Sequence, residues 1–178
     1  MTIADDVGTY YIPHHPAFNS ASKIRVAFDA FAKASSHFSL DQCFHTGLKL
    51  QLDILDILTR FHLHKFVFTA SICKMYRKIL MRSEYRYFQH IFWRSSPLDE
   101  LKEYQLNTVT YGVNCAPFLA RCVLKDIAEN ECNDFPEVLD GLRYQTYVDD
   151  ICLGADTEEL GTIECAVRFN SYPGPLCT

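Results

Sequence analysis

The sequence predicts an α+β fold, in which strands form a sheet and helices pack against one of its faces. Two patterns carry this prediction. Runs rich in β-branched and aromatic residues, at 142–148 and 151–155, surround Asp149 and Asp150, which is typical of a hairpin with acids at its tip. Apolar residues recur at helical spacing over 48–61, which indicates an amphipathic helix. A hydrophobic content of 48% is that of a globular domain with a real core.

Taken in chain order, the first predicted elements are a strand at 24–29 and a helix that starts near Ser39. The segment Ser39-Leu-Asp-Gln42 has the form of a capping box, in which the two polar side chains bond the helix's first free N–H groups. The amphipathic helix follows, and we expect its apolar face to lie in the core. That face comprises Leu48, Leu52, Leu55 and Leu58, widened by Ile54, Ile57 and Phe61.

Further strands are predicted at 65–71, 86–94 and 103–111, with a break at Ser95-Ser96-Pro97. A helix is predicted after Pro117, because proline is favourable near a helix start, where its missing N–H would have no partner. Residues 130–136 form a polar connector to the acidic hairpin, and another helix is predicted from Asp156 onward.

Composition argues against a membrane protein and against a zinc protein. No apolar run approaches the length of about 20 residues that spans a bilayer, and the N-terminus lacks the basic flank and apolar stretch of a signal peptide. The eight cysteines are scattered without any C-x-x-C pair, whereas zinc ligands usually occur in close pairs. We therefore expect an intracellular protein, cytoplasmic or nuclear, with no membrane partner.

Charge is distributed unevenly along the chain, although the net charge is only −5. Residues 62–94 contain seven basic side chains and one acid, whereas residues 126–160 contain eleven acids and one arginine. Local positive potential favours phosphate binding, and local negative potential favours cations. Two ordinary solvated surfaces would give the same pattern, so charge alone leaves both interpretations open.

The acidic pair can offer carboxylate oxygens to a hard divalent cation, which leaves room for water and substrate phosphate among its ligands. The chemistry suggested is metal-dependent phosphoryl transfer. An isolated Asp-Asp pair is also ordinary turn chemistry. The pair therefore needs support from the rest of the sequence.

That support comes from a family resemblance. Tyr147-Val148-Asp149-Asp150, followed by ICLGADTEE, resembles the active-site hairpin of reverse transcriptases. The flanking sequence resembles that of the BEL/Pao class of LTR retrotransposons. Five upstream blocks occur in that family's order, so that the resemblance covers roughly residues 8–160. The blocks are YYIPHHP at 10–16, KIRVAFDAFAK at 23–33, FTASICKMYRKI at 68–79, FQHIFWR at 88–94 and YGVNCAPFLA at 111–120.

The resemblance implies a right-hand polymerase with fingers and a ferredoxin-like palm, truncated before the thumb. It implies a partial fingers segment at 1–64, a palm segment with the YVDD hairpin at 65–160, and a divergent tail at 161–178. It also implies an RNA or DNA primer-template and dNTPs as partners, with Mg²⁺, or Mn²⁺ in its place, as the cofactor of any remaining activity. The other domains of the parent polyprotein are absent from this sequence.

The resemblance implies three catalytic positions, one of which has lost its carboxylate. Asp149 and Asp150 match the hairpin pair that ligates the metal. The family's T-A-D-I strand reads Thr69-Ala-Ser71-Ile72 here, and residues 60–80 contain no acid at all. A neutral serine cannot bridge two cations, so we expect activity that is impaired or absent. A non-catalytic nucleic-acid-binding remnant is the alternative function.

The resemblance also implies nucleotide-binding positions. Arg25, with Lys23 assisting, matches the fingers arginine that lies against the triphosphate. Tyr76 matches the aromatic residue that packs under the sugar, and Gly112 matches a glycine where backbone passes close to the nucleotide. An exposed strand charge and a core tyrosine are the plain structural interpretations of Arg25 and Tyr76. Two departures from the family accompany these matches, Ala116 in place of a serine and Phe31 in place of a small residue.

Overall fold

The computed structural model describes residues 1–18, 24–130 and 136–155. Within these ranges the strands are β1 Thr2–Ile3, β2 His14–Phe18, β3 Ile24–Phe28, β4 Phe66–Ser71, β5 His90–Trp93, β6 Lys102–Gln105, β7 Thr146–Tyr147 and β8 Asp150–Ala155. The helices are α1 Leu40–Cys43, α2 Ile54–His62, α3 Met75–Lys78, α4 Ser83–Arg86, α5 Ala116–Asn130 and α6 Pro136–Tyr144. The mixture of helices and sheets agrees with the predicted α+β class.

The chain forms two compact units, each assembled from two stretches of sequence. Unit 1 comprises Met1–Gly47 and Tyr76–Ala116, and unit 2 comprises Leu48–Met75 and the described residues from Pro117 onward. The segments 1–64 and 65–160 are a division by resemblance rather than by contacts. They stay a prediction.

Unit 1 contains two small antiparallel sheets, one with the strand order β1-β6-β5 and one made of β2 and β3. Its core brings together buried residues from all parts of the unit, namely Ile12, Ala30, Leu40, Ile91 and Val113. The predicted capping box at Ser39 is confirmed. The Gln42 N–H donates to Ser39 Oγ at 3.3 Å, and the Ser39 N–H donates to Gln42 Oε1 at 3.0 Å.

Unit 2 contains a three-stranded antiparallel sheet with the order β4-β8-β7. One face of this sheet is covered, because Ile151 and Leu153 of β8 are buried and α2 and α6 pack beside them. β4 alternates between half-buried and exposed side chains, with Val67, Thr69 and Ser71 exposed. The second face of the sheet is therefore open along β4.

The prediction of which residues form the buried face of the amphipathic helix is wrong. Helix α2 begins only at Ile54, after the N-cap Asp53. Ile57 is fully buried, whereas Leu55 is 69% exposed, and Leu48 lies outside the helix and is 76% exposed. Several apolar stripes can be drawn on a helix this rich in leucine and isoleucine, and packing against the sheet selects the one centred on Ile57.

The first predicted hairpin strand, 142–148, is also wrong over most of its length. Residues as far as Tyr144 belong to α6, and β7 has only two residues. Leu139 and Leu142 are three residues apart, so both fall on one face of a helix, and Leu142 is buried. Gly141 lets this helix approach β8 closely, because a Cβ there would lie 2.7 Å from Leu153 Cδ2.

The strands predicted at 86–94 and 103–111 are present but shorter. Arg86 ends α4 rather than starting β5, and β6 ends at Gln105. Beyond β6 the chain turns to a different partner. The Met81 N–H donates to the Asn107 carbonyl at 2.9 Å, and the Val109 N–H donates to the Ile79 carbonyl at 2.9 Å. The strand at 65–71 and the helix near Pro117 are confirmed by β4 and α5.

A polar network fastens the N-terminal residues of unit 1 to β5 and β6. His90 is fully buried, and its Nδ1 donates to Glu103 Oε1 at 2.7 Å. The same oxygen accepts the Tyr11 hydroxyl at 2.9 Å and the Gly8 N–H at 3.0 Å. The His90 bond is the largest of the causes that lower the pKa of Glu103. Gly8 cannot carry a side chain, because a Cβ there would lie 2.5 Å from His90 Cγ.

This network makes the stability of the chain depend on pH. Because the pKa of Glu103 is lowered in the folded state, the ionised carboxylate stabilises the folded chain at pH values above the ordinary carboxyl pKa of 4.5. This stabilisation is lost as the pH falls from there through the lower pKa of the folded state. We expect the free energy of unfolding to fall more steeply between about pH 6 and pH 3 in the wild type than in Glu103→Gln. Urea denaturation at a series of pH values measures this difference. Glu100→Gln, an exposed change in the same unit, is the control, and a Glu103→Gln curve parallel to that of the wild type would contradict the assignment.

Candidate active site

The acidic hairpin is a two-residue turn between β7 and β8. Tyr147 and Asp150 are paired across it, and Val148 and Asp149 occupy its centre. Val148 has φ of 54°, in the left-handed region that β-branched residues rarely adopt. A positive φ at the first but not the second central residue is the pattern of a type II′ turn, which normally carries glycine there. The turn that presents the two acids is therefore strained.

The register of β4 and β8 brings Ser71 to this turn. Ser71 and Asp150 are directly opposite each other, and the Ile72 N–H donates to the Asp149 carbonyl at 2.7 Å. Side chains of directly opposite residues lie on the same face of a sheet. Ser71 and Asp150 are exposed and Asp149 is half-buried. The structure thus places the three predicted catalytic positions together at one end of the sheet in unit 2.

A glutamine ahead of α2 holds the turn from the side. Gln51 Nε2 donates to the Thr146 carbonyl at 3.0 Å, and Gln51 Oε1 accepts the Val148 N–H at 3.1 Å. One side-chain amide therefore bonds the backbone on both sides of Tyr147.

Helix α6 is hydrogen-bonded to the first strand of the hairpin, β7. Thr146 is completely buried, and its hydroxyl donates to the Gly141 carbonyl at 2.9 Å. Arg121 of α5 donates to the carbonyls of Leu142 and Arg143, at 3.4 and 3.5 Å, near the carboxyl end of α6. Burial lowers the pKa of Arg121. The hairpin is thereby tied to α6, and α6 is tied to α5.

The donor atoms at this site do not fit a pair of magnesium ions. Two-ion phosphoryl transfer needs carboxylates that bridge both ions. The turn offers the carboxylates of Asp149 and Asp150, and the opposite strand offers only the neutral hydroxyl of Ser71. Within residues 1–18, 24–130 and 136–155, no group of three or more His, Cys, Asp or Glu side chains could hold a metal ion.

The predicted nucleotide-binding residues belong to unit 1, apart from Lys23, which lies outside the described residues. Arg25 is exposed on β3, and Tyr76 is half-buried on α3. The fold itself requires glycine at position 112, because φ there is 87° and a Cβ would lie 2.7 Å from the Phe28 carbonyl oxygen. The close approach at this glycine is therefore to β3.

Tyr111 strengthens the contact between the Gly112 loop and β3. Its hydroxyl donates to the Val26 carbonyl at 2.6 Å, and its ring lies 5.1 Å from that of Phe28. The Gly112 loop thus packs against β3, the strand that contains Arg25. Their roles toward a nucleotide stay a prediction.

The basic segment 62–94 is divided between the two units. Lys65 and Lys74 are exposed in unit 2, and the other five basic side chains lie in unit 1. Among those, Arg77, Lys78, Arg82 and Arg94 are exposed, whereas Arg86 is half-buried and its Nε donates to the Met81 carbonyl at 2.7 Å.

Gln51 is the residue of the candidate site that the sequence analysis did not identify. Its partners lie 95 and 97 residues further along the chain, so no local pattern indicates them. The only local sign is a polar residue between Leu50 and Leu52, just before the helix cap Asp53.

Solved structures show which known fold this chain resembles. No family model matches the chain, and no curated protein matches it. Two crystal structures of prototype foamy virus protease-reverse transcriptase, the native protein and a CSH mutant, match it with TM-scores of 0.64 and 0.67. The fold resembles that of a reverse transcriptase. Both matches share 16% sequence identity with this chain, and they cover 92% of it but only 19% of the viral chain. The likeness is therefore one of fold.

Over the described ranges, no helix has both the length and the apolar character that crossing a bilayer requires.

The strain at Val148 can be measured by glycine substitution. Val148→Gly has two destabilising effects, because it removes a half-buried side chain and raises the entropy of the unfolded chain. It also has one stabilising effect, because it removes the cost of a positive φ, which is about 1–3 kcal/mol. Val67→Gly, at a 44% exposed position of β4 without positive φ, has destabilising effects of the same kind and removes no such cost. We expect Val148→Gly to cost at least about 1 kcal/mol less than Val67→Gly in urea denaturation. Equal losses in the two variants would show that the turn is unstrained.

Proposed function

We propose that this chain is a reverse transcriptase domain, an RNA-directed DNA polymerase of BEL/Pao retrotransposon origin, whose catalytic activity is impaired or lost. The observation that carries the proposal is the position of Ser71, directly opposite Asp150 and beside the Asp149 backbone. The register supports the alignment of Thr69-Ala-Ser71-Ile72 with a catalytic strand, since this serine lies where a carboxylate would face the acidic turn.

The fold likeness and the sequence blocks support the polymerase assignment independently of each other. We assign unit 2 to the palm, because the strands of the acidic site, β4, β7 and β8, all belong to it. We assign unit 1 to the fingers, because it contains Arg25 and Gly112. The proposed partners are a primer-template and dNTPs. The chain spans only 19% of the length of the viral proteins that it matches, so the activity of such a whole protein is itself part of the proposal.

The expected loss of activity follows from charge. A serine hydroxyl is neutral and shorter than a carboxylate, so it cannot offset the positive charge of two cations. Losing several kcal/mol of transition-state stabilisation removes roughly three or more decades of rate, because each ~1.4 kcal/mol corresponds to a factor of ten. No other acid can take over this place on β4, since residues 60–80 contain none.

Restoring the carboxylate tests the proposal. We expect Ser71→Asp to bind Mn²⁺ at least about tenfold more tightly than the wild type, because a third carboxylate joins Asp149 and Asp150. Titration followed by the paramagnetic broadening of NMR amide signals near the turn measures the affinity. Ser71→Asn, of the same size but neutral, is the matched control and should bind like the wild type.

Primer extension on a poly(rA) template with Mg²⁺ or Mn²⁺ tests the activity itself. We expect no dNTP incorporation by the wild-type chain above the background of Asp149→Asn. Robust incorporation by the wild type, or equal Mn²⁺ affinity in the aspartate and asparagine variants, would contradict the proposal.

A non-catalytic nucleic-acid-binding role is the second candidate. The observation that favours it is the exposure of Arg77, Lys78 and Arg94 within unit 1, in a segment that contains seven basic residues and a single acid, Glu84. Exposed cations bind phosphate without regard to base sequence and independently of catalytic carboxylates.

Charge reversal distinguishes this role from an inert fold. We expect Arg77→Glu with Lys78→Glu to weaken binding of a labelled primer-template roughly tenfold or more, measured by fluorescence anisotropy at low salt, because two phosphate contacts become repulsive. The matched control is Lys33→Glu with Lys102→Glu, two exposed lysines of the same unit outside the basic segment. Equal losses in the two pairs would mean that binding reflects net charge alone.

A further inference from the structure

We propose that Gln51 is a positioning residue for the acidic turn. It holds the backbone of Val148 and thereby orients the carboxylate of Asp149 beside that of Asp150, on the open face of the sheet that Ser71 shares. This inference deepens the proposed function and rests on it, since it concerns the same acidic turn. It starts from the two hydrogen bonds of one amide group, to the Thr146 carbonyl and the Val148 N–H.

The side chain of Gln51 replaces a neighbouring strand. β7 lies at the edge of its sheet, with the order β4-β8-β7. In a strand, the carbonyl before a residue and the N–H after it point to the same side, where an adjacent strand would bond both. On the outer side of Tyr147 these two groups are the ones that Gln51 bonds. Its amide, which has the donor and acceptor of a peptide group, therefore caps the open edge where the turn begins.

The bond to Val148 reaches the strained residue itself. Val148 has φ of 54°, and the side chains of Asp149 and Asp150 follow directly after it. A rotation of Val148 toward ordinary extended backbone would redirect the carboxylate of Asp149, which lies in the turn, relative to that of Asp150, which is paired in β8. The Gln51 bond resists that rotation, because it fixes the N–H at the start of the turn. The opposite side of the turn is fixed by the Ile72 N–H, which donates to the Asp149 carbonyl at 2.7 Å.

Gln51 is itself held by α2. The carboxylate of Asp53, two residues later, accepts the Leu55 N–H at 3.0 Å as the helix N-cap. Ile57, on the next turn, is completely buried in unit 2. The segment that carries Gln51 is therefore anchored in unit 2, which also contains the turn. The backbone of Gln51 is thereby held in place relative to the turn.

Backbone measurements test the clamp by itself. We expect Gln51→Ala to raise the hydrogen-exchange rate of the Val148 amide about tenfold or more, while the Ile72 amide stays protected. Gln51→Glu keeps the acceptor for Val148 but loses the donor to Thr146, so it should show a smaller increase. Gln145→Ala is the matched control. This glutamine lies in the same unit, and its Oε1 has no hydrogen-bond partner in the described chain.

Cation binding tests the positioning role. In the Ser71→Asp background, we expect Gln51→Ala to weaken Mn²⁺ binding about tenfold, as loss of a residue that orients metal ligands typically does. Gln145→Ala should leave the affinity unchanged. A purely structural residue would alter thermal stability and Val148 exchange but not the Mn²⁺ affinity. The melting temperature of each variant is therefore recorded beside its affinity.

The outcomes separate the two proposals. Faster Val148 exchange together with weaker Mn²⁺ binding supports the positioning role. Unchanged exchange, or faster exchange with unchanged Mn²⁺ affinity, overturns it while the proposed function stands. If Ser71→Asp binds no Mn²⁺ although its Val148 amide is protected, the proposed function fails, and the positioning role falls with it.

Discussion

The register between β4 and β8 is the constraint on which the candidate site depends. It is set by the covered face of the sheet, where Ile151 and Leu153 are buried. A slip of one residue would move every side chain of a strand to the opposite face and would expose these apolar groups to water. The same core burial therefore fixes Ser71 opposite Asp150. The site is positioned by hydrophobic packing on the far side of the sheet.

Elements of both units could be predicted from the sequence where local chemistry decides the structure. The presence of the acidic hairpin was predictable because β-branched and aromatic residues flank two acids, although its turn is centred on Val148 and Asp149 and Asp150 already belongs to β8. The start of α1 was predictable because a capping box satisfies its own backbone. The end of α6 was not predictable, since residues 142–148 have a strand-like composition whereas Leu139 and Leu142 have helical spacing. Burial of Leu142 against β8 decides between the two, and that burial depends on residues outside the segment.

The contacts that refine the site were beyond local patterns for the same reason. Gln51 meets the hairpin across most of the chain, and the exposure of Leu55 on α2 depends on which face the sheet selects. Gly112 shows a different limit. Its position in the sequence blocks suggested close approach of a nucleotide, and the structure shows close approach of the Phe28 carbonyl. A glycine requirement identifies crowding, but it does not identify the group that crowds.

Arg86 affects how the basic segment is interpreted. Its guanidinium is half-buried and its Nε is committed to the Met81 carbonyl at 2.7 Å, so this cation helps to fold the chain between β4 and β5. A guanidinium held in this way has fewer N–H groups left to offer a polyanion. The formal charge of the segment therefore overstates the number of counterions that a bound nucleic acid would release.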